Sequence, residues 1–431
     1  MFFYINGVGK LKRNSLIVQR LSAMMFFQYF VLGTWFATLG FILSQHGLSS
    51  IIGTAYSIGG IAAIISPIVL GMITDRFFSS QKVLGIVNII GGFILWFLPA
   101  QIYSGNATVF LWLMFLYMLC FNPTYSLTNN ISFYNIKDTV KTFPLVRVCG
   151  TIGFIFAGLI IGGLGYSGSP VSIQIGAFVS VFFGLYCFTL PNTPAPAKGK
   201  PLAIRDLLFL DAFSLLKNRY YLVFIICTVL LFIDHAAYIS FSSVFLGDVG
   251  IENVSSFLTI GQVSEIVFML LIPICFRFLG FKYMFLAGMV AWILRMSLFA
   301  FGAPGSVITF MCIAIALHGL CWDFFFVTGY IYTDKIAEAK VKSQAQGLLI
   351  MFTQGIGMFV GSAIAGYIFN HTVTAHGAAS LSQWKTFWLY PAGIATLVAI
   401  VFLLLFKDKI KEKKSNSFDR KGIEESERLQ A

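Results

Sequence analysis

The chain has 431 residues, of which 58% are hydrophobic and only 11% charged, and its mean hydropathy is +0.85. Soluble domains carry about a quarter charged residues. The deficit therefore excludes a soluble enzyme and, despite a net charge of +12, a nucleic-acid-binding protein. Apolar stretches of about 20 residues, long enough to cross a bilayer as helices, recur along the whole length. They make this an all-α membrane protein.

The first apolar run follows Lys10, Lys12, Arg13 and Arg20 and is too long for the core of a cleavable signal, so it reads as the first span. Twelve spans are expected, at 17–44, 50–73, 83–103, 108–132, 143–164, 171–190, 219–246, 254–276, 283–302, 306–332, 344–369 and 385–406. All of the 29 Lys and Arg except Arg147, Arg295 and Lys385 then fall in the termini, in alternate loops or, as Arg20 and Arg219, in the span ends beside them. Basic residues gather on the cytoplasmic side, which puts both termini there. An even number of spans agrees.

After the sixth span comes the longest internal polar stretch, PNTPAPAKGKPLAIRDLLFLDAFSLLKNR (191–219). Its Pro-rich first half breaks helices, and its second half is expected to form a short amphipathic helix on the membrane surface. It divides the chain into an N-terminal six-helix half (1–190), a cytoplasmic linker (191–218), a C-terminal six-helix half (219–406) and a charged tail (407–431). Arg-Phe with a following Lys recurs after spans two and eight, at Arg76/Lys82 and Arg277/Lys282. Two six-helix halves around a midplane site describe the major facilitator fold. The stretch Gly71 to Arg76 resembles that superfamily's loop motif, without its later Gly-Arg. Gly158/Gly162 and Gly357/Gly361 have the spacing that lets helices approach closely. The seven cysteines are scattered with no CxxC pair, which suits packing and neither a metal site nor disulfides.

Ionisable residues inside the spans carry the functional signal, because each costs about 2.5–3.5 kcal/mol at the bilayer centre on insertion scales. Arg147 lies one turn inside span five, Asp234 and His235 in span seven, Glu265 in span eight, Arg295 in span nine, and His318 and Asp323 in span ten. Arg295 can form an ion pair with Asp234 or Asp323. Three carboxylates against two arginines still leave an acid without a permanent counter-ion, free to take up and release a proton. Asp323, Glu265, Asp234 and Arg295 are the expected proton-handling group.

Arg147, Thr151 and Phe154 lie on one stripe of span five, and Gln262 and Glu265 share a face of span eight. His318 and Trp322 share a face of span ten, from which Asp323 points about 140° away from His318 on a regular helix. Amides and carboxylates suit hydroxyls, and Phe154 or Trp322 can stack on a flat ring. Gln28, Asn122, Asn129, Asn130 and Gln354 either line the same cavity or join helices by hydrogen bonds. The sequence Gly165-Tyr166-Ser167-Gly168 matches a bare serine-hydrolase pattern but has no spaced histidine, and HExxH is absent. Neither catalysis nor a cofactor is expected.

The strings GTWFATLG (33–40), DRFFSSQKVLG (75–85), FPLVRVCGTIGF (143–154), LDAFSLLKN (210–218), GQVSEIVFML (261–270), AWILRMSLFAFG (291–302), HGLCWDFFFVTGYIYTDK (318–335) and SQAQG (343–347) resemble the nucleoside–proton symporter family of the major facilitator superfamily. That resemblance implies import of nucleosides with protons across a bacterial cytoplasmic membrane. It also implies a binding face at Arg147, Thr151, Phe154, Gln262, Glu265, Trp322 and Asp323. The chain departs from the family pattern at His318, where the pattern has tyrosine, and at Ala236 and Ile239, where it has glutamine and asparagine. The set Asp234, Arg295, His318 and Asp323 is also similar to that of lactose-type sugar symporters, which makes a proton-coupled sugar or polar-metabolite symporter the alternative.

Overall fold

The computed structural model describes residues 2–74, 78–195, 209–338 and 340–408, with the side chains of 2–15, 67–74 and 140 excepted. Among them, ten helices are long and apolar enough to cross a membrane. One of the ten, Val254–Gly302, is 49 residues long and folds back at Gly280, whose φ of 69° and ψ of 179° suit glycine alone. It supplies spans eight and nine. The 17-residue apolar helix Val171–Cys187 is span six. Twelve passes result, as expected.

The other spans are Phe2–Gly33 (one), Ile52–Thr74 (two), Ser80–Tyr103 (three), Ala107–Phe121 with Thr124–Asn135 (four), Thr139–Gly163 (five), Arg219–Val249 (seven) and Leu381–Leu405 (twelve). Span ten is assembled from Ile308–Ala316, His318–Cys321, a π-helical stretch Trp322–Val327, and Thr328–Ile336. Span eleven likewise contains a π stretch, Met351–Gly357, between Lys342–Ile350 and Met358–Thr372.

Spans one, four and ten are thus interrupted. Span one ends at Gly33, and the chain resumes helix only at Leu39–Gln45. The hydroxyls of Thr34 and Thr38 donate back to the carbonyls of Val31 (2.8 Å) and Trp35 (3.5 Å), in competition with the helix ladder. The expected surface helix of the linker is also corrected where it is described. Ala212–Lys217 is a 3₁₀ turn, and Ala212 is buried against Ala337 at the end of span ten and Ala345 and Leu348 at the start of span eleven. The small alanine faces let the linker dock on protein in preference to lipid. The remainder of the linker (196–208), Asp75 and Arg76 of the loop motif, and the tail from 409 onward lie outside the described residues.

The two halves meet at the end opposite the lysine-rich loops. Gly53 and Gly366 bring the backbones of spans two and eleven together, with Ser57 Oγ donating to the Phe359 carbonyl (3.0 Å) and Asn370 Nδ2 to the Ser50 carbonyl (3.1 Å). Gly158 and Gly162 of span five face Ser255, Ser256 and Thr259 of span eight, where Ser256 Oγ donates to the Gly158 carbonyl (3.4 Å). Gly40 packs on the Ser240 carbonyl of span seven. Gly357 and Gly361 instead serve packing inside the second half, against Phe232 and Ala236. Small residues are what permit such approaches between helices that gain little from hydrophobic burial in lipid. Toward the lysine-rich end the first half keeps a core of its own, built on Leu21, Met24, Val83, Val146 and Phe183. Among the described residues, no inter-half hydrogen bond forms there.

Candidate transport site

Span seven starts on a side-chain cap, Asn218 Oδ1 accepting from the backbone N–H groups of Tyr220 (3.0 Å) and Tyr221 (3.4 Å). Two turns of the same helix then carry Asp234, His235 and Tyr238 into the second half's interior. Span ten runs antiparallel beside it. The His235 ring lies 4.9 Å from that of Trp322, and the Tyr238 ring stacks on His318 at 5.5 Å. His318 and Trp322 do share a face, and that face is covered by two aromatic groups of span seven.

The helix break at Leu317 has a consequence for span eight. It frees the Gly319 N–H, which donates to Ser264 Oγ (2.9 Å). A side chain at Gly319 would collide with the Ser264 carbonyl, so glycine is what sets this approach. Span eight is thereby held so that Glu265 Oε2 sits 3.9 Å from His318 Nε2. The Glu265 side chain is 14% exposed.

Arg295 is fully buried and does not have the expected carboxylate partner. Among the described residues neither Asp234 nor Asp323 comes within ion-pair distance. The guanidinium lies 3.2 Å above the Tyr238 ring and 5.3 Å from Trp292, and its Nη1 is 3.1 Å from His318 Nδ1. Aromatic faces and an imidazole solvate the cation in place of an acid. Its Nε and Nη2 have no hydrogen-bond partner.

Asp323 and Asp234 are completely buried, and none of their four carboxylate oxygens has a hydrogen-bond partner. Asp323 opens the π stretch, among Phe324, Phe325 and Phe326, and Thr328 Oγ1 donates to its backbone carbonyl five residues back (3.2 Å). A π turn widens the helix by one residue and is frequent at functional positions. His318 is not a partner of Asp323; its ring is committed to Arg295 and Tyr238.

In the first half, Arg147, Thr151 and Phe154 lie along one continuous helix, span five. Arg147 stacks on the Tyr29 ring at 4.3 Å, with Gly150 leaving space for that ring. Thr151 is buried, and Phe154 half-buried beside Gly33 of span one. Arg147 lies within electrostatic reach of Glu265 across the half boundary, and Glu265 within that of Asp323. The structure therefore brings Arg147, Glu265, His318 and Arg295 into one chain of neighbouring groups, with half-buried Gln262 one turn from Glu265. Asp234 stands apart from that chain.

Three of the second-rank polar residues join helices. Gln28 Nε2 donates to Thr124 Oγ1 (2.5 Å), Asn122 Nδ2 to the Gly59 carbonyl (3.2 Å) and Asn130 Nδ2 to Ser80 Oγ (3.0 Å). Asn129 and Gln354 are half-buried. Tyr29 and Tyr238, which carry the two arginines, were not singled out from the sequence. Seventeen tyrosines and 47 phenylalanines hide them. The available signal was proximity: Tyr238 stands one turn beyond Asp234.

Comparisons with known proteins show the family and the fold. The family described as Nucleoside H+ symporter matches residues 16–411. This chain belongs to that family. It is 37% identical over 418 residues to the putative nucleoside transporter YegT of Escherichia coli, covering 94% of this chain and 97% of YegT. The xanthosine permease of the same organism is 30% identical over 422 residues, covering 92% and 99%. A crystal structure of nucleoside transporter NupG superposes with a TM-score of 0.81 at 29% identity, over 91% of this chain and 99% of that one. The chain is thus a multi-pass membrane transporter with the major facilitator fold.

Proposed function

We infer that the protein imports nucleosides together with protons by alternating access, in a bacterial cytoplasmic membrane with both termini on the cytoplasmic side. Under this reading residues 1–190 and 219–406 are the two moving halves, joined by the linker 191–218 and followed by the tail 407–431. The observation that carries the reading is Glu265: a partly exposed acid at the half boundary, within reach of Arg147 from one half and facing His318 in the other.

Arg147, Thr151 and Phe154 offer a cation, a hydroxyl and a ring from the first half. Gln262, Glu265, His318 and Trp322 offer an amide, an acid, an imidazole and a ring from the second. Together they suit a flat base carrying a polyhydroxylated sugar. Asp323 and Glu265 carry the transported proton, with Asp234 and Arg295 completing the charged set. Neutralising Glu265 removes its attraction to Arg147, which weakens the tie between the halves and lets them rock about the substrate. The glycine-lined contacts at the far end form the closed outer gate, so the arrangement corresponds to an inward-facing state.

Uptake of labelled uridine into proteoliposomes with an imposed pH gradient tests this. Accumulation driven by external acid and collapsed by a protonophore is the expected result. Uptake indifferent to the gradient overturns the coupling. Inhibition by sugars but not by unlabelled nucleosides favours the sugar-symporter alternative.

A further inference from the structure

A guanidinium has donors and no acceptor. Where Arg295 Nη1 meets His318 Nδ1 at 3.1 Å, the arginine must therefore donate and Nδ1 must accept. The ring proton of His318 then sits on Nε2, because the hydrogen bond at one imidazole nitrogen dictates the state of the other. Nε2 is the atom that faces Glu265 Oε2 across 3.9 Å, too far for a direct hydrogen bond. A donor and an acceptor thus stand side by side with a gap between them, and the Glu265 side chain keeps 14% exposure. The Arg295 guanidinium is fixed in turn by the Tyr238 ring beneath it, which also stacks on His318.

We propose that Arg295 is a positioning residue for substrate recognition: it locks His318 as the Nε2–H form, so that His318 and Glu265 bracket one substrate hydroxyl, which accepts from the first and donates to the second. This rests on the nucleoside reading above and names one contact within it. A tyrosine hydroxyl at position 318 would be able to donate or accept as it rotates. The locked imidazole can only donate, so this chain is the more selective for a hydroxyl at that point. A second consequence is that His318 cannot take a proton on Nδ1 while Arg295 occupies it, which leaves proton carriage to the carboxylates.

Two measurements on the full-length protein test the proposal. In the wild-type protein with ¹⁵N-labelled histidine, the His318 ring is assigned by difference from a His318→Gln variant. A bare Nδ1 and a protonated Nε2 at neutral pH are expected; the opposite tautomer or a doubly protonated ring overturns the proposal, whatever the variants do. In proteoliposomes, the KM for uridine is compared with those for 2′-, 3′- and 5′-deoxyuridine. Wild type is expected to disfavour one of the three by about tenfold. Arg295→Met should erase that preference. Arg295→Lys, which keeps a donor, should restore most of it, and His318→Phe should erase it whatever stands at position 295. A preference untouched in Arg295→Met, or none among the three analogues in wild type, overturns the inference alone. No gradient-driven uptake of any nucleoside by wild type overturns the functional reading, while the tautomer measurement still stands.

Discussion

The two halves differ in the kind of buried polar group they leave unpartnered, neutral in the first and largely ionisable in the second. In the first half, Gln28 is bonded to Thr124, Asn122 to Gly59, Asn130 to Ser80, and Ser180 to the Asn88 carbonyl (2.9 Å). In the second half, both oxygens of Asp234 and of Asp323, two nitrogens of Arg295 and Nδ1 of His235 are buried without partners. The first half also leaves Gln28 Oε1, Trp35 Nε1, Ser66 Oγ and Tyr117 Oη without partners, but these are neutral groups, and the bonded network around them fixes one arrangement of helices. Unpartnered ionisable groups cost free energy in any single arrangement, and that cost falls when a proton arrives or the surroundings change. Under the proposed function, the first half serves as a scaffold that presents Arg147, and the second as the part whose charge state changes during the cycle.

The sharpest break of that contrast is at the acids. Asp323→Asn and Glu265→Gln are each expected to reduce gradient-driven uptake to the level of empty vesicles. Wild-type accumulation in both would remove the second half's special role. Next in size, Arg147→Ala should raise the KM about tenfold or more, since a hydrogen bond to a charged group is worth about 1.5–3 kcal/mol and about 1.4 kcal/mol corresponds to a factor of ten. An unchanged KM would mean that the first half contributes no charge to binding.

The halves also share a boundary, and Gly162→Val probes it. A side chain there meets Ser256 directly. Overpacking costs about 1–3 kcal/mol, so the closed far end should lose population about 5- to 150-fold. The readout is faster labelling of a cysteine introduced by Ser57→Cys, applied from the far side. The smallest effect is expected in the scaffold. Asn130→Ala removes one hydrogen bond, worth about 0.5–1.5 kcal/mol, and should lower the thermal midpoint slightly with transport intact. Loss of transport at normal stability in that variant would bring the first half's network into the mechanism.

Much of this was legible in the chain before any coordinates. The spans follow from apolar length, and the stripe Arg147, Thr151, Phe154 survives because span five is a regular helix. Span ten was less legible. The 140° angle between His318 and Asp323 holds for a regular helix, whereas the chain breaks at Leu317 and widens into a π turn at Trp322. Periodicity does not announce such a break, because an interior run of Phe, Leu and Trp is apolar on every face.

The sequence by itself determined the class, the twelve passes and the surplus of intramembrane acids over arginines. Those depend on length, composition and count, which no packing can alter. Tertiary structure decided which partner each ionisable group received. Arg295 went to Tyr238 and His318 in preference to an acid, and Glu265 was set opposite His318 by the close approach at Gly319. The physical reason is reach: a charge inside a membrane protein pairs with whatever neighbouring helices bring within about 4 Å, and the placing of those helices rests on glycines and helix breaks scattered far along the chain.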